Sequence, residues 1–157
     1  MRLLKYGLYV VGCILLLFAG FEFLRRQVGG FAGSYPFVET WEIQASEEQV
    51  LAAIRALSKI DPSFQAPGRD VIESRDSLDM QAYWTHLHLY YTDTQEHVQA
   101  WTRAKDGGRV TTVALVSLRD AAGTRLIHRD YGYWENKKEV RRFESVVVRQ
   151  IKEQLKR

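Results

Sequence analysis

The chain has 157 residues, 46% of them apolar and 26% charged, the balance of one folded domain plus a short extra element rather than of a disordered chain. The formal charge of +3 resides in the first 26 residues, where Arg2, Lys5, Arg25 and Arg26 outweigh Glu22; the remainder is neutral, which argues against nucleic acid as a partner. Cys13 is the only cysteine, so an intramolecular disulfide and a cysteine-based zinc site are both excluded.

The first element is "YGLYVVGCILLLFAGFEFL", Tyr6 to Leu24, with Glu22 as its single charge. As a helix it would extend about 28 Å, close to the thickness of a bilayer's hydrocarbon core. Basic residues flank both ends, and Tyr6 and Tyr9 suit an interfacial position. The expectation is a single-pass transmembrane anchor over residues 1–26, with the rest outside the cytoplasm. Three alternatives stay open. Val10-Val11-Gly12-Cys13 resembles a bacterial lipid-attachment site, Ala32-Gly33-Ser34 resembles a signal-cleavage site, and the run could be a buried helix.

Residues 27–36, "QVGGFAGSYP", read as a flexible linker to an α+β domain over 37–157. Phe37 to Ala45 alternates as a first strand. Ser46 then opens a helix, with Gln49 completing a capping box and Glu47 and Glu48 at the positive helix end; Val50, Ile54 and Leu57 form its apolar stripe, and Asp61-Pro62 ends it. Residues 62–82 read as a long loop containing Asp70, Glu73, Asp76 and Asp79, a solvated charge run with "VIES" as a possible short strand.

The sheet follows. Tyr83–Tyr91 and Glu96–Ala104 form a hairpin around "TDTQ", with Tyr91 opposite Glu96, Tyr90 opposite His97, His88 opposite Gln99, His86 opposite Trp101 and Trp84 opposite Arg103. The next turn, "AKDGGR", leads to a strand over Val110–Leu118, with Val113 beside Ala100 and Leu115 beside Val98. A last strand is expected over Arg125–Tyr133, then a helix from Glu135 to Lys156 striped by Val140, Phe143, Val147, Ile151 and Leu155. The order β-α-β-β-β-β-α predicts an antiparallel sheet of four to five strands with both helices on one face. A more curved sheet wrapped around the last helix would resemble a helix-grip fold.

That packing consumes Leu87, Leu89, Val98, Ala100, Val113 and Leu115. The opposite face then carries Trp84, His86, His88, Tyr90, His97, Trp101 and Arg103, an aromatic platform expected to bind a protein or a small apolar ligand. The competing readings are a packed face, with Arg103 over Trp84 as a cation–π pair, or a face roofed by the 62–82 loop. His86, His88 and His97 form an alternative metal set, lacking a carboxylate on that face. A third alternative is an assembly or protective protein acting through the 62–82 loop. No nucleophile elbow, phosphate-binding loop or dinucleotide fingerprint occurs, so the expectation is a non-enzymatic protein without a cofactor.

"AYWTHLHLYYTDTQEHVQAW", "VTTVALVSL" and "WENKKEVRRFE" together are similar to a group of uncharacterised bacterial proteins with one N-terminal membrane segment and a small α+β domain. The resemblance spans roughly Phe37 to Leu155. It implies an envelope location and no catalytic residues.

Overall fold

The computed structural model describes residues 2–28, 37–73 and 84–156. Most of the expected linker, the loop residues Asp76 and Asp79, and Tyr83 at the expected start of the hairpin lie outside the described residues. Helix α1 (Arg2–Val28) runs on through Gln27 and Val28. Strands β1 (Glu39–Ile43), β2 (Ile72–Glu73), β3 (Thr85–Tyr91), β4 (Glu96–Lys105), β5 (Val110–Asp120) and β6 (Gly123–Leu126) form one antiparallel sheet. Helix α2 (Glu47–Leu57) follows β1. After β6 come α3 (Tyr133–Phe143), a π-helical turn (Glu144–Val148) and α4 (Arg149–Gln154), successive parts of the one C-terminal helix expected from the periodicity.

The sheet order is β1-β5-β4-β3-β2, with β6 also paired to β5. Strand β5 is long enough to serve two neighbours: Thr111 to Leu115 face β1, and Ser117 to Asp120 face β6. The β3–β4 register is the expected one from Tyr91–Glu96 through His86–Trp101. The β4–β5 register is not. The turn over Asp106, Gly107 and Gly108 has positive φ at all three residues, so the strands close on Lys105 and Val110, and Leu115 lies beside Ala100. A bulge between Gln99 and Ala100 then shifts the pairing again, and Leu118 lies beside Val98. The bulge brings Ser117 and Arg119 onto the face of Gln99 and His97.

The core lies on one side of the sheet. Val50, Ala53, Ile54 and Leu57 of α2 and Phe143, Val147, Val148 and Ile151 of the C-terminal helix cover Leu87, Leu89, Val98, Ala100, Val113, Leu115 and Leu118. Trp41 of β1 joins them, its ring 5.2 Å from that of Phe143. Val147 and Val148 of the π turn are both buried. Ser46 caps α2 as expected: its hydroxyl accepts from the Gln49 backbone, and Gln49 accepts from the Ser46 backbone.

The segment after α2 is not an uninterrupted loop. Asp61 caps a short turn by accepting from the Ser63 backbone and receives a second bond from Gln150 of α4. Burial alone would raise its carboxyl pKa, but these bonds outweigh burial and hold it below the ordinary value. Phe64 then plugs the core, and "VIES" supplies β2. The expected strand over Arg125–Tyr133 is cut short at Leu126. The Asp130 carboxylate accepts from the Leu126 backbone, and His128 takes a positive φ.

In α1, Val10, Val11, Ile14, Leu15, Leu16, Leu17, Phe18, Phe21, Phe23 and Leu24 are all exposed. Phe18 of α1 meets Tyr133 edge-on, the ring centroids 6.1 Å apart. Among the described residues no helix is long and apolar enough to cross a membrane. The expected span from Tyr6 to Leu24 is therefore not established by the fold.

Candidate functional site on the second sheet face

The face opposite the helices divides in two. At one end Trp101 is 4% exposed and packs with Ala114 and Val116. Val38, just before β1, and Leu126 of β6 close over this cluster from the sides, with Trp84 against it. The Trp84 and Trp101 rings lie 4.0 Å apart, and the Arg103 guanidinium stacks 4.6 Å from the Trp84 centroid, as the cross-strand pairing predicted. Trp101 thus contributes packing here, and the apolar half of the expected platform is a small second core. The expectation had no source for its lid, because Val38 and Leu126 come from strands far away in sequence.

The other end is open and polar. A cleft of about 590 Å³ is lined by Arg69, His88, His97, Gln99, Ser117 and Arg119, among others. Its floor is ordered by cross-strand contacts. Ser117 donates to the Gln99 side-chain oxygen at 3.2 Å, and the Tyr90 and His97 rings meet at 5.0 Å. One side is formed by Pro67 and Arg69, ahead of β2, and the His88 backbone N–H donates to the Val71 carbonyl.

Beside the cleft, β2 brings a carboxylate to these histidines. Glu73 of β2 bonds His88 Nε2 at 3.0 Å and lies opposite His86 in the register. The hydrogen bond from His88 lowers the Glu73 pKa against a smaller opposing effect of burial, with His88, His86 and Arg69 adding favourable charge. Among the described residues no group of three or more His, Cys, Asp or Glu side chains is placed to hold a metal ion. Of the alternative metal set His86, His88 and His97, His88 is bonded to Glu73 and His97 meets the Tyr90 ring.

Two further polar clusters escaped the sequence reading. His128 Nε2 meets Glu39 at 2.7 Å, its Nδ1 accepts from the Asn136 amide at 2.9 Å, and its backbone N–H donates to the Asn136 oxygen. Both ring nitrogens are engaged, and the cluster clamps β1 to α3. Arg142 is the second hub. It pairs with Asp93, Glu96 and Glu139 and lies 3.8 Å from the Tyr91 centroid, tying the β3–β4 turn to α3. Glu47 adds a third tie, accepting from the buried hydroxyls of the paired residues Thr85 and Thr102 at 2.9 Å each. A helix-start glutamate opposite two strand threonines is a signal that the sequence contained, but only the register makes it legible.

No protein-family model matches the chain, and no curated protein matches it either.

Proposed function

We propose that the protein is a non-enzymatic, membrane-anchored binding domain that meets its partner through the open end of the second sheet face. One observation carries the binding half of this reading: the strands that bury Trp101 at one end leave His88, Gln99 and His97 lining a cleft at the other. The polar lining turns the expectation of an apolar ligand toward a polar one.

The anchoring half is supported by α1. Its described apolar side chains from Val10 to Leu24 are exposed, and lipid is the solvent that suits such a surface. The resemblance to single-pass bacterial envelope proteins points the same way. A second reading is favoured by the contact of Phe18 with Tyr133, in which α1 lies along its own domain.

Two measurements test the proposal. After alkaline carbonate extraction of cell membranes, the full chain should stay in the pellet; recovery in the supernatant would remove the anchor. A photoreactive amino acid at position 90 should give a discrete crosslinked product in cells, while the same probe at exposed Ala52 of α2 should not. Equal products from both positions would remove the binding face.

A further inference from the structure

The cleft carries a surplus of hydrogen-bond donors and positive charge. Arg69 and Arg119 both line it, and neither makes a salt bridge among the described residues. Arg119 stands directly opposite His97 on the paired strands, so their side chains share this face. The Gln99 oxygen is already bonded to Ser117, which leaves the amide N–H groups of Gln99 to face the cleft. The one carboxylate in the lining is committed elsewhere. Asp120 accepts from the Ala122 and Gly123 backbone through Oδ1 and from Arg125 through Oδ2. Glu73 does not line the cleft and is bonded to His88.

We infer that this cleft binds a small soluble anion of the carboxylate or phosphate class, held by Arg69 and Arg119 with the Gln99 amide and the His97 ring as further contacts. The inference rests on the reading of this face as the binding surface and names its ligand chemistry. Two guanidinium groups supply forked donors suited to either oxyanion. The bulge at Gln99 is what makes the site, because it puts Ser117 and Arg119 on the same side as His97.

The full chain in detergent micelles can be titrated with sodium phosphate and, separately, with sodium succinate, at constant ionic strength set by potassium chloride. Histidine ring resonances report the result by nuclear magnetic resonance. The His97 signal should shift saturably with at least one anion, and the anion that binds more tightly identifies the oxyanion class. His128, bonded to Glu39 and Asn136 outside the cleft, should not move and serves as the internal check on folding. Arg69→Gln and Arg119→Gln should each weaken binding about tenfold or more, as expected for loss of a charge-assisted hydrogen bond. No saturable shift with either anion overturns the inference, as does a shift that both variants retain with the His128 signal unchanged. Anion binding without a crosslinked product at position 90 would defeat the partner reading alone; the product without anion binding would defeat this one alone.

Discussion

Strands β3 and β4 present two faces made from alternating residues of the same chain, and these faces are closed by different means. On the core side Leu87, Leu89, Val98 and Ala100 are sealed along their length by α2 and the C-terminal helix. On the second side only the Trp101 end is sealed, by single side chains from next to β1 and from β6. A helix delivers an apolar stripe; an edge strand delivers one residue at a time. The open cleft is what remains where that lateral supply ends. Neighbouring residues show the contrast: Tyr91 is buried under Arg142, while Tyr90 is half-exposed beside His97.

The most direct way to break this comparison is to empty each closed region. Leu89→Ala should cost about 3 kcal/mol, and Trp101→Ala about 3 to 5 kcal/mol, both read from urea unfolding midpoints. If Trp101→Ala costs less than about 1 kcal/mol, the second cluster is surface packing and the division of that face loses its physical basis.

A pH series sharpens the contrast at Tyr91. Burial pushes its hydroxyl above the ordinary phenol range, and burial pushes the Tyr131 hydroxyl up to about 12. Both pKa values are raised by folding, so their stabilising contribution is complete below the unfolded phenol value of about 10. It is lost as pH climbs from there through the folded values, because the unfolded chain releases protons that the folded chain retains. Urea midpoints should therefore fall steeply above about pH 10. Tyr91→Phe should flatten that fall without harm at neutral pH, since the Tyr91 hydroxyl is buried with no hydrogen-bond partner among the described residues.

The smallest effect belongs to the open end. His97→Ala should change stability by no more than about 0.5 kcal/mol, the range of surface substitutions, in the same urea assay. A larger loss would mean that His97 supports the fold and that the cleft is part of the structure's own packing.

Much of the layout was legible in the chain itself. Ser46 and Gln49 marked the start of α2, the period-two alternation from Thr85 to Tyr91 marked both faces of β3, and "TDTQ" set the hairpin register. These are local signals, and local sterics and hydrogen bonding suffice to write them. The length of the last strand was not legible, because Asp130 and Asn136 stop it through bonds to the Leu126 and His128 backbone. Nor was the β4–β5 pairing, which depends on left-handed backbone at Asp106 to Gly108 and on a bulge that no alternation announces.

Alternation along the extended backbone was enough to sort the side chains of β3 and β4 onto two faces. Only the tertiary structure decided which part of the second face would close. Val38 and Leu126 reach Trp101, and Glu73 reaches His88, through pairings between strands distant in the chain. A bulge of one residue then chose Ser117 and Arg119 for the cleft. Such contacts depend on where whole strands come to rest, and periodicity within any one of them carries no record of it.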